Sequence, residues 1–334
     1  MIKKATSVFK YTFSLGLALA LLYLAFRNVD FSEFIEKSKQ VNYTWVIISI
    51  LLSLVAYYAR AYRWNILLKP LGYPNLNVHK TNLAVLVGYL ANLAFPRLGE
   101  VTRCGMMKRS DDVPVSTSLG TVITERIIDL FTLIALILLA LVLEYDRLIE
   151  FLTHIFSGLQ DVEGLMWKAG MIIVIGGALV FILGYVLYVK NEKVRSFIND
   201  LIRGILSLKD VKNRWGFVLS TIVLWVTYYF MSYIIVFSIP ETAHLSWVAG
   251  IMLLVTGGIA LAVPVQGGIG TYHAFVSAML VLYSVEKTTG VFLATLLHTS
   301  QIVATAIFGG IALLASFFIK KANEPDSTED RQQK

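Results

Sequence analysis

Two acids and an arginine sit inside an otherwise apolar run of this chain, in the stretch "TERIID". Glu125 and Asp129 are four residues apart and share one face of a helix, while Arg126 is offset by one position. At a lipid-exposed helix centre each charge would cost about 2.5 to 3.5 kcal/mol, so the three cannot all face lipid. With Leu119 at the cytoplasmic interface, Glu125 lies about 9 Å deep at 1.5 Å per residue. An ionisable cluster at that depth reads as a functional site. The alternative is an ion-pair network that only holds helices together.

The partners expected for this cluster lie upstream, in "PRLGEVTR". Arg97 follows Pro96 directly, and Glu100 and Arg103 are three residues apart. Arginine suits phosphate because its planar fork donates two parallel hydrogen bonds. Snorkelling to the cytoplasmic surface is the other reading of Arg97 and Arg103. Arg60 and Arg63 in "YARAYRW" read as interfacial anchors beside Trp64, with headgroup contact as the alternative. In the second half, Gln266, His273, His298 and Gln301 are the polar groups placed to match, and His298 and Gln301 share a helix face.

Other chemistries lack their residue patterns. The five histidines show no HExxH or paired-ligand spacing, so no metal is expected. Cys104 is the single cysteine, which excludes an intramolecular disulfide and a cysteine zinc cluster. There is no Walker loop, and "GGIGTYH" lacks the third glycine of a dinucleotide fingerprint, so neither ATP nor another cofactor is expected. No residue is assigned a catalytic role.

The elements that must position these residues are membrane helices. Hydrophobic residues make up 57% of the chain and charged ones 15%, and the mean hydropathy is +0.69. That apolar content exceeds what a soluble core of this length needs. The net charge of +7 sits in loops between apolar runs, where membrane orientation and anionic headgroups explain it better than nucleic acid. Runs long enough to span lie near Tyr11 to Phe26, Tyr43 to Ala59, Leu119 to Leu143, Ala169 to Val189, Phe217 to Ser238 and Gly290 to Ile319. The first reads as an uncleaved span, because Ala18 and Ala20 lie within it rather than after it.

Two further apolar segments, Leu83 to Phe95 and Trp247 to Val263, each run into a proline and a glycine-containing turn. They are expected to be re-entrant hairpins entering from opposite sides. The class is therefore an all-α polytopic membrane protein with six full spans plus two hairpins, about eight membrane segments. Twenty lysines and arginines then fall on one side and six on the other, which puts both termini in the cytoplasm. An eight-span arrangement keeps that orientation, but the stretch from Arg97 to Asp112 is too charged for a second crossing. Amphipathic patterns at Leu148 to Leu159 and Phe197 to Leu206 are expected to lie flat at the two membrane surfaces. Residues 1–321 form one membrane domain, followed by a polar, disordered cytoplasmic tail over 322–334. The destination is the cell (cytoplasmic or inner) membrane.

The two odd segments echo each other. "NLAFPRLGEVTR" and "ALAVPVQGGIGT" align Ala94 with Ala262, Pro96 with Pro264 and Gly99 with Gly267, at an offset of 168 residues. Matched interrupted hydrophobic segments in two halves point to an inverted repeat and its binding site. Irregular backbone in a membrane is tolerated where it is buried or lines a wet cavity. Pro96, Gly99 and Pro264 are thus hinge positions, and Gly267, Gly268 and Gly270 would let a headgroup approach exposed amides. The plainer reading is a tight turn.

"PRLGEVTR", then "TERIIDL", then "PVQGGIGTYHAF" together resemble the lysylphosphatidylglycerol synthase transmembrane-region family of flippase-like membrane proteins, over roughly Tyr11 to Ile319. The resemblance implies a lipid translocase for a phospholipid, an aminoacylated phospholipid or a lipid-linked sugar. It carries over Arg97, Glu100, Arg103, Glu125, Arg126 and Asp129 as site residues. It also implies a membrane lipid headgroup as partner, with a glycosyltransferase or lipid-modifying enzyme as a second partner. An accessory or enzymatic role in lipid-linked glycosyl transfer is the alternative. Aminoacyl transfer is not expected, since the polar tail replaces the cytosolic domain of the lysyl-transferring relatives.

Overall fold

A computed structural model describes residues 22, 23, 25, 26, 29–95, 98–156, 188–263 and 265–318. The expected spans near Tyr11 to Phe26 and Ala169 to Val189 lie almost wholly outside these residues, as do Pro96, Arg97, Pro264 and the tail. Every regular element described is helical.

The first helix with described bounds, α1 (Phe31–Gln40), is capped by Asp30, whose carboxylate accepts from the amides of Ser32 and Glu33. It is followed by α2 (Tyr43–Leu68), α3 (Val78–Ala94), α4 (Leu98–Asp111) and α5 (Val115–Leu143). Then come the short α6 (Tyr145–Phe156) and α7 (Glu192–Leu206), α8 (Arg214–Tyr233), α9 (Trp247–Ala262), α10 (Thr271–Val281) and α11 (Lys287–Ser316). Among the described residues four stretches are long and apolar enough to cross a membrane: Tyr43–Leu71, Val115–Leu143, Arg214–Ser238 and Lys287–Ser316. They coincide with four of the six expected spans, so the chain is an all-α, multi-pass membrane protein.

Between the long helices lie two helical hairpins, α3 with α4 and α9 with α10. At 1.5 Å per residue α4 is about 21 Å long and α10 about 17 Å, short of a hydrocarbon core of about 30 Å. Phe95 is extended at φ −139° and ψ 125°, as the residue before a proline favours, and α3 stops there. The two helices then cross at Gly88 and Gly99: a Cβ on Gly99 would stand 2.1 Å from the Gly88 carbonyl oxygen. The Gly99 amide donates to Asn92 Oδ1 at 2.7 Å, which fixes the reversal. Close crossing at small residues is how membrane helices gain packing without a hydrophobic driving force.

The two amphipathic helices do more than lie on a surface. Leu148 and Phe151 of α6 are buried, and the Phe151 ring meets Phe275 of α10 edge-on at 6.2 Å. These two side chains pack against protein, while Ile149 is exposed. Helix α7 crosses α5 where Gly204 meets Gly120, and Thr124 Oγ1 donates to the carbonyl of Ile205 at 3.0 Å. Phe197, Ile202 and Leu206 remain exposed on α7.

Among the described residues the buried apolar side chains form five clusters, of which two are the largest. The larger joins α9, α10 and α11 to the chain around Ile235 to Ile239. The smaller surrounds Trp64, Leu68, Val85, Cys104 and Met107, where α2, α3 and α4 meet the start of α5. Beside this second cluster the charged residues come together.

Candidate functional site

Arg60 and Arg63 are three apart on α2, and Glu125 and Asp129 are four apart on α5, so each pair presents one face to the other. Arg63 bridges both acids, with Nη1 2.8 Å from Asp129 Oδ1 and Nη2 3.5 Å from Glu125 Oε1. Arg60 Nη2 donates to Asp129 Oδ2 at 3.1 Å and to the Tyr228 hydroxyl at 3.3 Å. From α4, Arg103 Nη2 reaches Glu125 Oε2 at 2.6 Å, and its guanidinium lies 4.5 Å from the Trp64 ring. Trp64 is itself held by a bond from Nε1 to Thr121 Oγ1 at 2.8 Å.

Arg126, one position off the shared face, turns the other way. Its Nη2 pairs with Glu100 Oε1 at 2.6 Å and its Nη1 lies 3.8 Å from Asp129 Oδ2. Arg63 and Glu125 are completely buried, and Arg60 and Arg103 are 4% exposed. Pairing is what makes that burial tolerable: removing one partner of a buried pair costs about 3 to 5 kcal/mol. Arg60 and Arg63 are therefore not interfacial anchors. The anchor reading fails because their side chains turn inward to acids on α5, a direction that the local sequence around Trp64 does not reveal.

Next to this network lies a cavity of about 550 Å³ bounded by α2, α3, α5, α8, α9, α10 and α11. Its polar wall holds Arg60, Arg126 and Asp129, and its aromatic wall Tyr57, Tyr89, Trp225, Tyr228 and Tyr272. Leu130, Leu133, Leu253 and Leu261 line the apolar remainder, and Leu130 and Leu261 are exposed. A cleft of about 10 Å³, the space of a single water, adjoins it between α3, α4 and α5. Glu100, Arg103, Gly88 and Gly99 line that cleft, with Arg60, Tyr89 and Arg126 shared between the two.

Of the residues singled out from sequence, Arg126 and Asp129 thus line the cavity, Glu100, Arg103 and Gly99 line the cleft, and Glu125 lies behind both. The turn after α9 contributes differently. Gly267, Gly268 and Gly270 have φ of 60°, 73° and 84°, conformations that glycine adopts without strain. His298 Nε2 is hydrogen-bonded to the Gly267 carbonyl at 2.7 Å, and the Gly270 amide donates to His273 Nδ1 at 3.4 Å. Tyr272 stacks on His298 at 5.1 Å, and Tyr272 and Gln301 reach the cavity lining while the three glycines and His273 do not. The 266–268 turn packs against α3, which brings the two hairpins together. The side chain of Gln266 lies outside the described residues.

Arg60, Tyr89, Trp225 and Tyr228 went unassigned or misread in the sequence. The usable signal was complementary spacing: arginines three apart in one apolar helix can be buried only against acids similarly spaced on another. Among the described residues no group of three or more histidine, cysteine or acidic side chains could hold a metal ion.

Long apolar helices, two short hairpins and a paired charge cluster beside a cavity define a multi-pass, all-α membrane protein. Residues 11–309 match the family described as the lysylphosphatidylglycerol synthase TM region, and the chain belongs to that family. The description is of a transmembrane region, and the match includes no soluble catalytic domain. A curated relative, the glycosyltransferase AglD of Haloferax volcanii, is 24% identical across 92% of this chain and 54% of its own length. The chain thus spans about half the length of that relative. No solved structure matches it significantly.

Proposed function

We propose that this chain moves a lipid between leaflets by holding its headgroup in the cavity beside Arg60, Arg126 and Asp129 while the tails stay in the bilayer. The observation that carries this reading is the mixed lining: guanidiniums and a carboxylate together with leucines, two of them exposed. An amphipathic cavity of this kind matches an amphipathic cargo. The candidates are a phospholipid, an aminoacylated phospholipid or a lipid-linked sugar. Glu100 and Arg103 adjoin the cavity through the small cleft and Glu125 pairs with Arg103 behind it, while Arg97, Gln266, Gly267, Gly268, Gly270 and His273 as further site residues and Pro96, Gly99 and Pro264 as hinges rest on the sequence.

The finer topology belongs to the same proposal. The two short hairpins are re-entrant, enter from opposite sides and are related as an inverted repeat within about eight membrane segments. Their lengths, their contact at the 266–268 turn and the echo between Ala94 and Ala262 support it. Both termini lie in the cytoplasm on the charge bias, which is seventeen to six once the buried Arg60, Arg63 and Arg103 are left out. Cys104 is buried, so its replacement by alanine gives a background for single-cysteine labelling from each side, which reads this topology directly. The likeness to AglD favours a second reading, an accessory role beside a lipid-linked glycosyltransferase.

Translocation is tested with the purified full chain in proteoliposomes carrying a fluorescent lipid in both leaflets. Dithionite quenches only the outer leaflet at first, and further quenching reports movement. Quenching identical with and without protein, across all three lipid classes, would overturn the proposal.

A further inference from the structure

The same cavity also selects a headgroup chemistry, an inference that rests on the translocase reading. Consider charge first. Asp129 is the carboxylate among the described lining residues, and three guanidiniums already surround it: Arg63 at 2.8 Å, Arg60 at 3.1 Å and Arg126 at 3.8 Å. Behind it Glu125 takes Arg63 and Arg103, and Glu100 takes Arg126. Four arginines thus meet three acids in this network, leaving one positive charge in excess. A cationic aminoacyl headgroup would enter a site of its own sign and find each acid already occupied. A phosphate would cancel the excess, and beside buried guanidiniums that cancellation counts for more than at a surface.

Hydrogen bonding points the same way. Of the cavity-lining side-chain atoms that are buried without a hydrogen-bond partner among the described residues, Arg60 Nε and Nη1 and Trp225 Nε1 are donors, and the acceptor Asp129 Oδ1 has the Arg63 guanidinium 2.8 Å away. A buried donor without an acceptor is costly. The missing complement is a ligand rich in oxygen acceptors. The remaining polar lining, Ser232, Gln301 and Thr305, can serve hydroxyl groups in either direction.

The aromatic wall adds shape. The Trp225 and Tyr228 rings meet edge to face at 6.0 Å, and the Arg60 guanidinium stands 5.9 Å from the Tyr89 ring. Flat aromatic faces pack on the apolar C–H face of a sugar or cyclitol ring and leave its hydroxyls for polar neighbours. We propose that the cavity takes a lipid phosphate bearing an uncharged, polyhydroxylated headgroup, with Arg60 on the phosphate and Trp225 on the hydroxylated ring, and disfavours cationic headgroups.

The test measures binding to the detergent-solubilised full chain separately from movement in proteoliposomes. Four fluorescent probes are compared: a hexosyl isoprenyl phosphate, the same isoprenyl phosphate without sugar, phosphatidylinositol and lysylphosphatidylglycerol. The hexosyl phosphate or phosphatidylinositol should bind about tenfold more tightly than lysylphosphatidylglycerol, and whichever of the two binds better identifies an isoprenoid or a diacylglycerol source. Trp225→Phe, checked for folding by its elution and melting profile, should shrink the advantage of the hexosyl phosphate over the sugar-free phosphate. Equal or tighter binding of lysylphosphatidylglycerol in the unmodified chain overturns the inference, as does failure of both hydroxylated lipids to bind. Tight, selective binding without any leaflet movement supports the inference and instead overturns translocation.

Discussion

The Arg63 guanidinium lies between two carboxylates one helical turn apart, 2.8 Å from Asp129 and 3.5 Å from Glu125. It is fully buried, as is Glu125, so the contact between α2 and α5 is made through charge rather than through apolar side chains at this level. An acid pair alone or an arginine pair alone could not occupy that position.

Removing an acid should cost most where its arginine is left behind. Glu125→Ala leaves the buried Arg103 guanidinium without its acid and should destabilise the protein by about 3 to 5 kcal/mol, whereas Arg63→Ala leaves Glu125 to Arg103 and Asp129 to Arg60 and should cost less. The double variant Arg103→Met with Glu125→Leu, in which Arg63 keeps Asp129, should recover part of the loss. Melting in detergent, followed by fluorescence-detected elution, reads all three; single variants as stable as the parent would remove the network from the stability account.

Arg60 should separate binding from stability. Asp129 keeps Arg63 when Arg60 is lost, so Arg60→Gln leaves no acid unpaired. Charged hydrogen bonds contribute about 1.5 to 3 kcal/mol, so lipid-phosphate affinity should fall by about tenfold or more. Titration with a fluorescent lipid phosphate, set beside the melting temperature, is the measurement. A large loss of stability with unchanged affinity would make Arg60 structural.

The glycine crossing should tolerate no side chain. A Cβ on Gly99 would stand 2.1 Å from backbone oxygen on Gly88, and one on Gly204 2.5 Å from that of Thr117. Overpacking costs about 1 to 3 kcal/mol. Gly99→Ala should loosen α4 from α3, and Gly204→Ala should lift α7 from α5. Hydrogen exchange resolved by segment should show faster exchange in α4 for the first and in α7 for the second.

The tie between α1 and the turn after α8 should respond to pH at both ends. The Lys37 ammonium lies 2.6 Å from Glu241 and 3.1 Å from Glu33. Hydrogen bonding to Lys37 lowers the Glu241 pKa. Burial opposes the charge on Lys37, but hydrogen bonds to Glu241 and Glu33 outweigh it and raise its pKa. A lowered carboxylate contributes above its unfolded pKa and loses that contribution as pH falls through the folded one. A raised lysine contributes below its unfolded pKa and loses that contribution as pH rises through the folded one. Both groups touch solvent, so the effect should be about 0.2 to 1 kcal/mol. Glu241→Gln should flatten the acid side of a stability-pH curve and Lys37→Met both sides; unchanged curves would dissolve the link.

Much of this protein was legible in the chain itself. Span length and hydropathy set the four long helices described, because lipid admits few backbone solutions and a run of about twenty apolar residues has little else to become. "TERIID" announced buried charge for the same reason, since isolated charges are excluded from hydrocarbon. What the sequence could not decide was which arginines answered those acids and from which side. "YARAYRW" has the composition of an interfacial anchor, and only the packing of α2 against α5 turns Arg60 and Arg63 inward. Tyr89, Trp225 and Tyr228 are separated widely along the chain and share a wall only once α3 and α8 close around α2. Helical periodicity is a local property, readable over a few turns. A cavity is a relation between distant helices, fixed by the glycine crossings and ion pairs that set how those helices approach.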